Sequence, residues 1–171
     1  MDLNIVPLSR ANWEQVRAIY LEGIADGNAT FETEAPAWEQ WDDSHLSIGR
    51  LIARRGESVL GWAALSPISK RKVYSGVAEV SLYVSAKFQG QGVGKALLRA
   101  VIAEAELHGI WTLQGGTFPE NIASLRLQAS CGFRIVGRRE RIGCLHGVWR
   151  DTILTERRSR VVGATGRNQP S

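Results

Sequence analysis

Apolar positions along the chain change period several times, and each change marks an element. Residues 3–8 (LNIVPL) read as a short opening strand. After Asn12, a residue suited to capping a helix, Trp13, Val16, Ile19, Tyr20 and Ile24 recur at helical spacing until Asp26-Gly27-Asn28 ends the run. Residues 29–36 (ATFETEAP) are bounded by turn formers, and a second, more acidic helix is predicted over about 38–48. Two apolar runs, 51–54 and 59–65, flank Gly56-Glu57-Ser58 and predict a hairpin.

The period then becomes strictly two. Ala78, Val80, Leu82 and Val84 take one face while Glu79, Ser81 and Tyr83 take the other, which predicts a strand with two chemically different sides. Gln89-Gly90-Gln91-Gly92-Val93-Gly94 follows and opens a strongly periodic helix that ends near His108-Gly109. Residues 110–116 predict another strand, 121–129 a shorter helix, and 133–136 with 149–154 two more strands. Strands alternating with helices indicate α/β architecture, and the early hairpin makes the sheet mixed rather than fully parallel. Residues 1–156 are expected to form one domain. Residues 157–171 are expected to be a basic tail, unstructured from Gly163 onward.

Charge sharpens this picture. The net charge is +4, but four of the twenty-one basic side chains lie beyond Glu156, where there is no acid, so residues 1–156 carry seventeen of each sign. A balanced body lacks the footprint of a nucleic-acid binder. Within it, residues 1–60 carry five basic and ten acidic groups and residues 61–156 twelve and seven, so the second half is the better host for an anion. The N-terminus has neither the basic region nor the apolar run of a secretory signal, and no apolar stretch is long enough to span a bilayer; both point to the cytoplasm. Cys131 and Cys144 form no CxxC pair, the three histidines are scattered, and no metal is expected.

The glycine turn carries the most specific chemistry. Glycines between a strand and a helix let backbone approach a ligand, and the free N–H groups of the helix start favour an anion, commonly a phosphate. The same glycines would also serve a plain tight turn. The spacing fits neither nucleotide fingerprint: Leu97 stands where GxGxxG needs its third glycine, and Lys95 is followed by Ala96 rather than by Ser or Thr.

What fits is Gln-x-x-Gly-x-Gly, read as Gln89, Gly92 and Gly94, directly after the alternating strand. Here the chain resembles the GCN5-related N-acetyltransferase (GNAT) superfamily. Its phosphinothricin and methionine sulfoximine acetyltransferase branch is matched by Ala29-Thr-Phe-Glu-Thr-Glu34, Gly61-Trp-Ala63, Arg71 and Tyr74 ahead of Ala78-Glu-Val-Ser-Leu-Tyr-Val84, Pro119-Glu-Asn-x-Ala-Ser124, and His146-Gly-x-Trp149-x-Asp151. The resemblance implies a mixed sheet splayed at an acetyl-CoA site and flanked by helices. It further implies that Leu82, Tyr83 and Val84 hold the pantetheine arm, that Gln89, Gly90, Gln91, Gly92, Val93, Gly94 and Lys95 form the pyrophosphate loop, and that Asn121 bonds the cofactor. Asn121 also suits the N-cap of its own helix.

Acetyl transfer to an amine needs a base, because an amine of pKa about 10 is almost wholly protonated at neutral pH. By resemblance that base is Glu79; a strand glutamate is otherwise a solvated side chain. Arg71 would hold a substrate carboxylate, in a pocket lined by Phe31, Tyr74 and Trp149, or else belong to the solvated run with Lys70 and Lys72. One departure stands out: Gln128 occupies the position of the branch's histidine, and an amide cannot protonate a leaving thiolate. The implied activity is direct acetylation of the α-amine of a small amino-acid analogue by a homodimer. Alternatives are acetylation of a peptide, lysine or polyamine, an acyl-CoA-binding sensor without activity, and a nucleic-acid module resting on the basic balance.

Overall fold

The computed structural model describes residues 2–164. Strands β1 (Asn4–Pro7), β2 (Leu51–Arg55), β3 (Ser58–Pro67), β4 (Val77–Val84), β5 (Thr112–Thr117), β6 (Arg134–Leu145) and β7 (Val148–Arg158) form one sheet in the order β1-β2-β3-β4-β5-β7-β6. Every pairing is antiparallel except β4 with β5, so the sheet is mixed, as the early hairpin required. The parallel pair needs a crossover, which α3 (Val93–Leu107) supplies. One face of the sheet packs on α3 through Leu97, Leu98, Val101 and Ala105; Ala78 is buried there, and Val80, Leu82 and Val84 pack against it. The other face packs on α1 (Trp13–Asp26) and α2 (Trp38–Ser44) through Val16, Ile19, Tyr20, Trp41 and Trp62, with Tyr83 against this cluster. The alternation of β4 thus sorts its side chains between two cores.

Several boundaries differ from the sequence expectation, each for a physical reason. Asn12 does not cap α1 with its side chain; its Oδ1 accepts from Ser9 N and Oγ, closing a short 3-10 turn instead. Helix α2 stops at Ser44, where Arg50 donates to the carbonyls of Asp42, His45 and Leu46 and so satisfies the released chain. Strands β6 and β7 run well beyond their predicted lengths. They are joined at His146 and Gly147, both at positive φ (49° and 79°) as a two-residue hairpin turn requires. Their polar stretch carries no apolar alternation because much of β6 faces solvent. Arg141 forms a bulge at φ 46°, held by its N–H donating to Asp151 Oδ1 at 2.7 Å while Arg138 Nε donates to Oδ2 at 2.6 Å. That N–H first, and then Arg138, lowers the Asp151 pKa below the usual aspartate value.

The domain boundary also moves. Arg157 and Arg158 lie in β7 and Ser159 is buried, so the fold does not end at Glu156. The Arg158 guanidinium donates to the carbonyls of Trp111, Ser159, Val162 and Gly163, which folds residues 159–163 against the start of β5. Most of the segment expected to be unstructured, 165–171, lies outside the described residues.

Candidate active site

The site begins where two strands part. β4 pairs with β3 from Ala78 to Val84, but with β5 only at Val77, Ala78 and Glu79. Past Glu79 the parallel strands diverge, and Gly115–Thr117 of β5 remain paired with β7 alone. The β5-facing backbone edge of residues 80–84, which includes Leu82, Tyr83 and Val84, therefore has no strand partner. An unpaired strand edge suits an extended ligand that carries amide groups of its own.

The glycine turn lies at the end of this edge. Gly90 and Gly92 adopt φ of 73° and 83°, and nothing lies within 4 Å of where a Cβ would stand at either, so backbone conformation and open access explain these two glycines. Gly94 answers to packing: a Cβ there would sit 3.0 Å from Leu127 Cδ2. The first backbone bond of α3 runs from Ala96 N to Gly92 O. The N–H groups of Val93, Gly94 and Lys95 precede it and have no place in the helical ladder. No acid stands in that first turn, and Lys95 adds a cation. The arrangement suits a pyrophosphate. Gln89 and Gln91 fold back on the chain before the loop, donating to Val84 O (3.4 Å) and Lys87 O (3.2 Å), and both stay exposed.

Glu79 stands at the last paired residue before the splay, exposed, with its Oε2 accepting from Gln114 Nε2 at 3.2 Å. Gln114 had no signal in the sequence, since only strand pairing brings it beside Glu79. Tyr83, on the same strand face, stacks on Trp62 and leans on Tyr20 (ring centroids 4.8 and 5.0 Å). Burial, and next the neighbouring Tyr20, hold its phenol far above the ordinary tyrosine range, so it stays protonated. Arg71 and Tyr74 are exposed neighbours in the loop before β4, with the guanidinium 5.4 Å from the ring centroid.

The opposite wall is assembled from distant segments. Phe31 packs edge-on against Phe118 at 4.8 Å and fills the space over Gly143, where a Cβ would stand 2.8 Å from its ring. Asn121 caps α4 (Ile122–Ser130) by accepting from Ser124 N at 3.1 Å, and its Nδ2 donates to Asn28 O at 3.2 Å. One N–H and one lone pair of that amide stay free for a ligand. Arg150, absent from the sequence-derived candidates, donates to Gly27 O, Asn28 Oδ1 and Glu120 Oε2 and lies 4.1 Å over the Phe118 ring. Trp149 lies apart from these aromatic contacts, 61% exposed and paired with Cys144 across the β6–β7 hairpin.

The sequence model of the acetyltransferase (GNAT) family matches residues 13–133, from the start of α1 through the glycine turn and α4 to the start of β6. The chain belongs to this family. It is an N-acyltransferase dependent on acetyl-CoA. The acetyltransferase is 32% identical over 154 residues to a phosphinothricin N-acetyltransferase of Alcaligenes faecalis, covering 83% of this chain and 75% of that one. It is 31% identical over 113 residues to an L-methionine sulfoximine/L-methionine sulfone acetyltransferase of Salmonella typhimurium, covering 65% and 66%. Its fold matches that of a phosphinothricin acetyltransferase from Sinorhizobium meliloti in complex with acetyl-CoA, with a TM-score of 0.86 at 24% identity over 99% and 95% of the two chains.

The structure also accounts for Gln128 in the acetyltransferase. The residue is buried, with its Nε2 donating to Thr117 Oγ1 (2.8 Å) and Ser124 Oγ (3.1 Å) and its Oε1 accepting from Thr155 Oγ1. Both amide hydrogens are used internally, so Gln128 ties α4 to β5 and β7 and has no donor left for a substrate.

Proposed function

We propose that the protein transfers acetyl from acetyl-CoA directly to the α-amine of a small amino-acid analogue of the phosphinothricin or methionine sulfoximine type, with Glu79 as general base. The observation that carries this reading is the position of Glu79: its carboxylate, held by Gln114, stands where β4 and β5 part. Acetyl-CoA, when bound, supplies a thioester carbonyl open to attack by nitrogen. The chain supplies the rest. Backbone N–H groups of residues 90–95 seat the pyrophosphate, the free edge at Leu82–Val84 aligns the pantetheine arm, and the unused part of the Asn121 amide bonds the cofactor. Glu79 removes a proton from the ammonium, directly or through one water, which general-base catalysis typically rewards by about 10²–10⁴ in rate.

Arg71 holds the substrate carboxylate with its planar fork, beside Tyr74, and Phe31 lines the far wall of the pocket; Trp149, exposed on the hairpin, reaches the pocket only as part of the assembled dimer. An arginine as the acceptor anchor favours an amino acid over a polyamine. The exposed apolar residues of β6 and β7, Ile135, Val136, Ile142, Val148 and Trp149, support a homodimer formed through this hairpin. Unpaired Cys131 and Cys144 suit the reducing cytoplasm.

The test follows CoA thiol release with phosphinothricin, methionine sulfoximine, methionine sulfone, ordinary amino acids, a peptide and spermidine. Turnover is expected with the first three. Silence with all three while acetyl-CoA still binds, or preference for the peptide, overturns the reading.

A further inference from the structure

Residues 27–31 run from beside β4 to the loop that follows β5, the two strands that diverge at the site. Towards β4, Gly23 of α1 lies against the Tyr83 ring, where a Cβ would stand 2.7 Å from Tyr83 Cδ1 and 3.6 Å from Ala29 Cβ, which brings residue 29 close to that ring. Towards β5, Phe31 packs on Phe118, the residue that follows the strand, and Asn28 O accepts from Asn121. The segment therefore bridges the open end of the splay, beside the free edge of β4 and ahead of the cofactor asparagine. It has left α1 through Gly27 at φ 77° and belongs to no helix or strand until α2 begins at Trp38, so side chains must hold it in place.

The strongest of these holds is Arg150. Its guanidinium, only 17% exposed, donates to Gly27 O at 3.0 Å, Asn28 Oδ1 at 2.8 Å and Glu120 Oε2 at 3.2 Å, and stacks on Phe118. One side chain of β7 thus joins the bridging segment to the loop between β5 and α4, which carries Asn121. The planar fork matters here, because an ammonium cannot reach three acceptors set in different directions while lying flat on a ring.

We propose that Arg150 is the positioning residue of the acceptor pocket: it latches residues 27–31 across the splay and thereby sets how small the acceptor amine must be. The proposal deepens the function argued above and rests on its placing Phe31 in the amine pocket. Arg150 makes no hydrogen bond, ion pair or ring contact with residues 82–95, and it reaches the cofactor side only indirectly, through Asn28 and Glu120 beside Asn121. Loss of the latch loosens the amine wall and leaves the pyrophosphate loop unchanged.

Arg150→Gln is expected to raise KM for the preferred small amine about tenfold, to shift the kcat/KM ratio towards a peptide amine by at least as much, and to weaken acetyl-CoA, through Asn121 alone, by only about twofold to threefold. Hydrogen exchange should quicken about tenfold at the amides of residues 28–31 and stay unchanged in α3. Arg150→Lys should fall between wild type and Arg150→Gln. Asn28→Ala, which removes one acceptor only, should act in the same direction with smaller size, and it replaces Arg150→Gln should that variant not fold. Unaltered amine KM and selectivity in a folded variant, or equal losses on the amine and acetyl-CoA sides, overturn the proposal. If the wild type acetylates none of the small amines, the functional reading fails, and the exchange measurement alone still decides the latch: wild-type protection of residues 28–31 in Arg150→Gln refutes it.

Discussion

In the proposed reading, residues 77–107 build most of the cofactor side of the cleft as one uninterrupted strand, turn and helix, whereas the opposite wall, which carries the acceptor side together with Asn121, is gathered from residues 27–31, 118–121 and 143–150. The first is held by regular backbone bonds and by two glycines whose positive φ no other residue adopts cheaply. The second is held by side chains: one arginine on three oxygens, one asparagine amide, and an aromatic pair set over Gly143. A ligand shared by a whole family can be met by backbone alone. Choice among acceptor amines needs a wall that can change without disturbing the cofactor loop, and separate segments provide one.

Substitutions should separate the two sides. Glu79→Gln, at the junction, is expected to have the largest effect: turnover lower by about 10²–10⁴ with acetyl-CoA affinity nearly unchanged, measured by thiol release and by titration. Wild-type turnover would remove Glu79 from the mechanism. On the acceptor side, Arg71→Ala should cost about 10–100-fold in KM for amino acids, the worth of a charge-assisted hydrogen bond. It should cost far less for an amine lacking a carboxylate, and equal losses on both would mean that Arg71 does not read that group. On the cofactor side, Gly92→Ala puts a Cβ at φ 83°, a strain of about 1–2 kcal/mol that should weaken acetyl-CoA roughly tenfold and leave the amine KM alone.

The smallest expected effect concerns an ion pair away from both walls, which joins α3 to the end of β7: Glu106 with Arg157 at 2.9 Å. Hydrogen bonding from Arg157 lowers the Glu106 pKa below its ordinary 4.5. A lowered carboxylate pKa stabilises the fold above the unfolded value and loses that contribution as pH falls through the folded one. Arg157→Met should therefore destabilise by about 1 kcal/mol or less at pH 7, and the gap from wild type should close below pH 4.5. A gap that persists at pH 3 would assign the effect to packing.

The β4 alternation, the glycine turn and the periodic helix after it are all legible in sequence, because period and glycine spacing are local properties of the chain. Arg71 and Glu79 could be picked out by motif, yet Gln114, the partner of Glu79, could not. Strand ends in β6 and β7 were hidden because a largely solvated hairpin has no apolar period to read. The boundary after Glu156 failed for a similar reason: the four carbonyls that gather Arg158 are backbone groups, and no residue type announces them.

By itself, then, the sequence determined the α/β order of elements, the glycine turn between β4 and α3, and the family to which they belong. Tertiary structure decided where β4 and β5 part, that Gln128 is spent on holding α4, and that Arg150 reaches Gly27 across 123 residues. Dihedral preference and hydrophobic period act between neighbours along the chain. The divergence of two strands and the meeting of distant side chains follow from how the whole sheet packs, and no local pattern records them.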